Sequence, residues 1–336
     1  MNEHTRNTSM KISGLEPIKK TIPGLGEKMC VFLNIKPSRA EELMENFVIE
    51  SKLSGHNDEI SLVNFYDARK ILLGKACLKY SSEQERKNKL QMESNILNIL
   101  NLSGIVCPKI IDAGSTKEGM PFIIMEAIKG KSASDCVLDI RIAELILDTI
   151  QSHESSLLDN LKTLQLSEGN LNVHQKIDFE NKLKGFLRDF TPAFVIKDSY
   201  AFLNNYLNDL DVIKKSIVTD RSADNIFIGE NNQIIMIDFS TVRIGAQFDN
   251  WIQFIDDPRA RFSCAKEELI RLFFEKNHLQ EKVMDFYYAS SIYTNLLQGI
   301  FTYQKNPTLS MQYINNVNDA FKKFTKKKGV LIDIDH

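Results

Sequence analysis

The chain has 336 residues, of which 43% are hydrophobic and 26% charged, and it carries a formal net charge of −2. There is enough apolar material to bury a substantial core, and the near-neutral balance gives no general attraction to nucleic acid or to an anionic membrane. No apolar run approaches the roughly 18 residues that span a bilayer, the start Met1-Asn2-Glu3-His4-Thr5 lacks a secretory pattern, and the five cysteines are scattered without a CxxC pair, which argues against a disulfide scaffold or a zinc site and for the cytoplasm.

Residues 1–37 are polar with interspersed Gly and Pro and read as a partly ordered leader. Ser38-Arg39-Ala40-Glu41 matches a capping box and predicts a helix through Phe47. Leu53-Ser54-Gly55-His56-Asn57-Asp58 reads as a turn between strands, in which Gly55 supplies permissive backbone. Ile71 to Tyr80 predicts a strand carrying an inward Lys79. Glu83 to Leu102 predicts a helix, with Leu90, Ile96, Leu97 and Leu100 at helical spacing and Glu93 among them. Singly, such a Lys and such a Glu are ordinary solvated charges. In this order, a strand Lys paired with a helix Glu is a recurring device for holding the α- and β-phosphates of a nucleotide.

Pro121 to Ile128 predicts a buried strand, closed by Lys129-Gly130-Lys131-Ser132. In a two-lobed nucleotide-binding fold the backbone of such a segment hydrogen-bonds the adenine edge, which makes Glu126 to Ile128 the candidate base-binding segment. From Ser134 onward the pattern is mainly helical, with apolar stripes at Ala143 to Ile150 and Tyr200 to Leu210. His153 and His174 read as structural or solvated rather than pocket-lining.

The densest chemistry lies in Thr219-Asp220-Arg221-Ser222-Ala223-Asp224-Asn225-Ile226-Phe227-Ile228, followed by a Gly229-Glu230-Asn231-Asn232 turn and Ile234-Ile235-Met236-Ile237-Asp238. Two short apolar strands joined by turn residues form a hairpin, so Asn225 and Asp238 emerge at the same end of it. Phosphoryl transfer asks the protein chiefly to position reactants and neutralise phosphate charge. Mg²⁺ prefers hard oxygen ligands and keeps several waters, so a carboxylate, an amide oxygen and the nucleotide phosphates suffice to hold it. Asp220 is then the candidate base, and Asn225 and Asp238 the candidate metal ligands. The plain alternative is a surface hairpin with Asp and Asn at its turns.

Beyond the hairpin, Gly245 is expected to permit a tight bend. Trp251 reads as core rather than as a stacking platform. Asp256 and Asp257 either attract a cationic substrate or cap a helix near Pro258. Phe286 to Leu297 predicts a packed helix. The run Lys322-Lys323-Phe324-Thr325-Lys326-Lys327-Lys328 reads as a solvated helix end, terminated by Gly329.

From about Leu53 to about Phe301 the chain resembles the aminoglycoside phosphotransferase and choline kinase superfamily, the small-molecule branch of the protein-kinase-like fold. The resemblance rests on Asp220, Asn225 and Asp238 as base and metal ligands, on Lys79 with Glu93 as the ion pair, and on the short turn at Gly55 in place of a longer Gly-rich loop. It implies an α+β two-lobed fold, with a small antiparallel sheet and helix over 38–128 and a larger, mainly helical lobe over 129–336. It also implies ATP and Mg²⁺ as cofactors, and Asp249 as a carboxylate bracing the catalytic loop.

The chain departs from the family pattern at Val218-Thr219, where a His and a Gly are usual, and at Ala223-Asp224, where Pro-Gly is usual. The reading is an ATP-dependent transfer of the γ-phosphoryl group to a hydroxyl of a small molecule, with no nucleic-acid or membrane partner. The alternatives are a nucleotide-binding pseudokinase and a protein-directed kinase. Neither the acceptor nor the oligomeric state is encoded in these motifs.

Overall fold

The computed structural model describes residue 22 and residues 24–54, 59–81, 86–164, 215–246, 248–279 and 281–327. Residues 1–21, Gly55 with its turn, Glu83, His174, the stripe from Tyr200 to Leu210, and Gly329 lie outside the described residues. The chain divides into two compact units. One takes residues up to Asn95 together with Pro108–Ala127, and the other takes Ile96–Cys107 and the chain from Ile128 onward.

The smaller unit contains α1 (Leu25–Phe32), α2 (Ala40–Glu45), β1 (Phe47–Ser54), β2 (Glu59–Tyr66), β3 (Leu72–Tyr80), the first turns of α3 (Lys87–Leu102), β4 (Ile110–Ser115) and β5 (Pro121–Glu126). Its five strands lie in the order β1-β2-β3-β5-β4, each neighbour antiparallel. Alternation along β3 sends Ala76, Leu78 and Tyr80 into a core shared with Leu25, Met29 and Cys30 of α1, and leaves Cys77 and Lys79 on the opposite face.

Two expectations are corrected here. The leader over 1–37 gives way well before residue 37, because Leu25, Met29 and Cys30 form an apolar stripe on α1 that is buried in the sheet's core. Each such side chain contributes about 1.5–3 kcal/mol of burial, and its polar neighbours hide the stripe from a compositional reading. The capping box at Ser38 does not form. Pro37 opens a single 3₁₀ turn over Pro37–Arg39 that encloses Ser38, no side chain caps α2, and Phe47 begins β1 rather than ending a helix. Arg39 instead pairs with Glu42 at 2.9 Å.

The larger unit contains β6 (Lys131–Ser132), β7 (Val137–Leu138), α4 (Ile140–Asp159), α5 (Leu161–Leu164), β8 (Lys215–Val218), β9 (Ile226–Ile228), β10 (Ile234–Met236), β11 (Arg243–Ala246), α6 (Asp249–Ile255), β12 (Arg261–Phe262), α7 (Lys266–Lys276), α8 (Glu281–Tyr303) and α9 (Pro307–Lys327). Asp139 starts α4 by accepting the Ile142 N–H at 2.9 Å. Helical spacing then buries Ala143, Ile146, Leu147, Ile150, His153, Glu154 and Leu157 on one face. Asn306 caps α9 through the Leu309 N–H, and Pro307 occupies its first position, where the missing N–H is harmless.

Three small ladders frame the loops of this unit: β10-β9-β6, β11-β8 and the parallel pair β12-β7. Trp251, Phe248, Phe273, Phe274 and Tyr287 form an aromatic core, with Trp251 only 1% exposed. Trp251 is therefore packing, as its residue type suggests. Among the described residues no helix is long and apolar enough to cross a membrane.

Candidate active site

In the smaller unit, Lys79 Nζ lies 2.8 Å from Glu93 Oε2, with the two side chains only 5% and 2% exposed. Lys79 faces away from the α1 core by the pleat of β3, and Glu93 lies three residues after Leu90 and four before Leu97, on the buried face of α3. Two charges taken out of water persist only when paired, so the arrangement holds an ammonium at a defined place. Cys77, on the same face of β3, is a free thiol whose pKa burial pushes up to about 11. At the end of β5 the Glu126 N–H is already bonded to the Lys109 carbonyl at 2.9 Å. A base seated on this segment would therefore use other backbone groups, such as the Glu126 carbonyl or the Ile128 N–H.

In the larger unit, β9 and β10 pair antiparallel with Ile234 opposite Ile228 and Met236 opposite Ile226. The connecting turn places Asn231 and Asn232 at positive φ, which Asn tolerates. One further bond, from the Ile237 N–H to the Asn225 carbonyl at 2.9 Å, extends the ladder and sets Asn225 beside the residue preceding Asp238. Asp238 takes a left-handed backbone, φ 55°, a strained conformation common at functional sites. Its Oδ1 accepts the Ser240 hydroxyl at 2.6 Å.

Asp220 lies in the loop between β8 and a single 3₁₀ turn over Ala223–Asn225, and its Oδ1 accepts the Ser222 N–H at 3.0 Å. The Asn225 side-chain NH₂ donates to the Asp220 carbonyl at 3.4 Å, which leaves the amide oxygen as the atom that would face a metal. The structure thus brings Asp220, Asn225 and Asp238 to one end of the hairpin. An amide oxygen and a carboxylate are hard donors that fit Mg²⁺. Among the described residues no three His, Cys, Asp or Glu side chains converge as a metal cage, and an Asn–Asp pair completed by phosphate oxygens and water requires none.

Behind this loop lies a buried polar layer that sequence reasoning missed. Arg221 is 1% exposed, its guanidinium carbon sits 4.7 Å from the centre of the Phe239 ring, and His153 stacks on Phe239 with ring centres 5.8 Å apart. Burial lowers the Arg221 pKa to about 10 against the charges of Glu154, Asp220 and Asp238, and lowers that of His153, with the Arg221 charge adding to the effect. Burial likewise raises Glu154 to about 7, opposed by the hydrogen bond from Asn250. Asn250 joins the layer to the loop. Its Oδ1 accepts the Thr219 N–H at 3.0 Å, and its NH₂ donates to Glu154 at 2.6 Å and to the Ile217 carbonyl at 2.8 Å.

Several expected roles move to neighbouring residues. Asp249 pairs with Arg243 at 3.1 Å, while the loop backbone is held by Asn250, by Gln253 on the Arg221 N–H at 3.1 Å, and by Asp257 on the Ala223 N–H at 2.7 Å. Asp257 caps the turn at Pro258, its Oδ1 accepting the Arg259 N–H at 2.9 Å, and Asp256 lines a pocket with Lys266 and Tyr288. Asp256 is 8% exposed and accepts from Ser291 and Asn295, and Asp257 is bound by Arg259. Gly245 lies in β11 rather than at a bend, where a Cβ would come within 2.5 Å of Val218 and 2.7 Å of the Asp249 carboxylate. Local sequence carries only a fragment of this layer, a cation directly after Asp220 and an amide directly after Asp249, and does not say which partners they meet.

No protein-family model matches the chain, and no curated protein is significantly similar to it in sequence. Solved structures do share its fold. A mutant of aminoglycoside 2′-phosphotransferase IIIa in complex with GDP superposes with a TM-score of 0.57 at 13% identity, over 84% of this chain and 92% of that one. An amicoumacin kinase in complex with AMP-PNP and Ca²⁺ gives 0.55 at 13% identity, over 93% and 96%. An ethanolamine kinase of Plasmodium vivax gives 0.51 at 14%, over 86% and 85%. The chain therefore has the α+β, two-lobed, kinase-like fold of these phosphotransferases.

Proposed function

We propose that the protein is a phosphotransferase that moves the γ-phosphoryl group of ATP to a hydroxyl of a small molecule. The observation that carries this reading is the convergence of Asp220, Asn225 and Asp238 at one end of the β9–β10 hairpin, with Asp238 held in a left-handed backbone. Asp220 orients the acceptor hydroxyl and takes its proton. As the acceptor oxygen bonds to the γ-phosphorus, the bond from that phosphorus to the β-bridging oxygen breaks, and ADP carries the electron pair away. Asn225 and Asp238 hold Mg²⁺, which when bound neutralises charge on the phosphates. Lys79, fixed by Glu93, contributes a positive charge for the α- and β-phosphates, and the backbone at Glu126 and Ile128 reads the base. Gly55 would supply permissive backbone so that neighbouring N–H groups approach the phosphates.

Three facts support the coarser part of this reading. The structural neighbours named as kinases act on small molecules, two of the structures hold a nucleotide or its analogue, and one holds a divalent cation. The names of their acceptors differ too widely to choose one for this chain. Five free cysteines suit a reducing compartment, and we place the protein in the cytoplasm.

A second reading is a nucleotide-binding scaffold without transfer. Val218 in place of the usual His and the buried Arg221 beside Asp220 and Asp238 favour it. The test is a thermal shift by Mg²⁺-ATP on the wild type and Asp238→Asn, followed by a screen of hydroxylated metabolites for a new phosphomonoester. A shift near 2.7 kcal/mol is expected at about 100 times the dissociation constant, and it should be lost in the variant. A shift without any product, across acceptors, supports the scaffold, and no shift with either ATP or GTP removes both readings.

A further inference from the structure

We propose that Arg259 is a positioning residue for Asn225, clamping the turn that carries this metal ligand; the inference rests on the phosphotransferase reading above. Its Nε and Nη2 donate to the two oxygens of Asp257 at 2.9 and 2.8 Å, and its Nη1 donates to Asp224. Asp257 is 1% exposed and accepts the Ala223 N–H at 2.7 Å. The planar fork thus grips the Ala223–Asn225 turn twice, on its backbone through Asp257 and on its middle side chain through Asp224. Asn225 is the next residue. Ser132 adds a hydrogen bond to the Ala223 carbonyl at 3.0 Å.

The departure at Ala223-Asp224 gains a physical account from this clamp. Without a Pro-Gly pair the turn lacks intrinsic stiffness, and Asp224 introduces a negative charge beside the metal ligands. Arg259 answers both, holding the turn and neutralising Asp224. Lysine cannot reproduce this arrangement, because an ammonium is a point charge and cannot grip two carboxylates with a rigid fork.

Positioning and simple charge effects predict opposite signs, which makes the idea testable. Removing the Arg259 cation leaves more negative charge near Asn225 and Asp238, and on electrostatics alone this tightens Mg²⁺. Loss of positioning weakens it. The experiment titrates Mg²⁺ against the thermal stabilisation given by ATP for the wild type, Arg259→Gln, Arg259→Lys and Asp224→Asn, and follows amide hydrogen exchange at Ala223 and Asn225 in the unliganded proteins.

Arg259→Gln is expected to raise the half-maximal Mg²⁺ concentration by about tenfold or more, the usual effect of losing a partner behind a metal ligand. Arg259→Lys recovers only part of this. Asp224→Asn, half-exposed and so tolerant of exchange, raises it less because the Asp257 arm remains. Ala223 exchanges faster in both Arg259 variants. An unchanged or lower Mg²⁺ requirement in Arg259→Gln, with the wild type responding, overturns the proposal, as does unchanged exchange at Ala223. A wild type that does not respond to Mg²⁺-ATP defeats the phosphotransferase reading, and the metal-positioning role falls with it.

Discussion

Arg221 stacks on Phe239, so the residue after the proposed base is bound to the residue after the proposed metal ligand, 4.7 Å from guanidinium carbon to ring centre. His153 closes the other contact to that ring from α4. Val218, two residues before Asp220, is a 2% exposed packing residue.

Replacing Arg221 separates the fold from the chemistry. Arg221 Nε and Nη1 find no hydrogen-bond partner among the described residues, and an unpaired buried donor costs about 1–3 kcal/mol. Arg221→Met, of similar length and apolar, is therefore expected to unfold in urea within about 1 kcal/mol of the wild type or to be more stable. Phosphoryl transfer should drop by tenfold or more, because the loop that carries Asp220 loses its contact with Phe239, the residue after Asp238. A stability loss above about 3 kcal/mol, the range for breaking a needed buried pair, would show instead that the cation holds the fold.

Lys79 and Glu93 form the opposite case. Removing one partner leaves the other buried, so Lys79→Ala is expected to cost about 3–5 kcal/mol. In Lys79→Met combined with Glu93→Leu neither charge remains, and most of that loss should be recovered. The double variant should still fail to bind nucleotide. Chemical denaturation of the singles and the double, with a nucleotide thermal shift on each, tests this; strict additivity of the two losses would show that the pair is not coupled.

Glu154 gives a pH signature. Its carboxyl is raised to about 7 in the folded protein, chiefly by burial, against an ordinary value near 4.5. The folded state therefore holds this proton more tightly, and the associated stability is full below about pH 4.5 and lost as pH rises to about 7. Glu154→Gln cannot lose it. Relative to the wild type, the variant is expected to gain stability between pH 5 and pH 8, by up to about 1.4 kcal/mol per pH unit inside the window. His153 works in the other direction on acidification but is common to both proteins. A difference between the two proteins that is flat with pH would place the carboxyl outside this layer.

The fold was legible where side-chain spacing and backbone geometry agree. Strand and helix patterns place Lys79 inward on β3 and Glu93 within the stripe of α3, the order of elements suggests that they pair, and two short strands around Gly229 to Asn232 predict where Asn225 and Asp238 emerge. What was not legible depends on partners distant in sequence. Asp249 stands beside Asn250, and nothing local says that the amide rather than the carboxylate reaches Thr219. Arg259 lies 35 residues after Asp224, and only the folded chain shows that they meet. The α1 stripe failed for another reason, since three core residues in a polar leader leave no mark on composition.

Asn250 offers the sharpest separation of these roles. Its oxygen serves the Thr219 N–H, while its nitrogen serves Glu154 and the Ile217 carbonyl. Asn250→Ala leaves all three without this partner in a buried setting, and a loss of about 3 kcal/mol or more is expected. Asn250→Asp keeps an acceptor for Thr219 but puts a second carboxylate against Glu154 and removes both donors. Two buried carboxylates in contact share a proton when one is available, so this variant should be most unstable at pH 8 and recover toward pH 5 by more than Asn250→Ala, in which Glu154 alone takes up a proton. Urea unfolding of both variants at the two pH values decides it. Equal instability of Asn250→Asp at both would mean that the amide nitrogen does not face Glu154, and the loop would then hang on Gln253 and Asp257 alone.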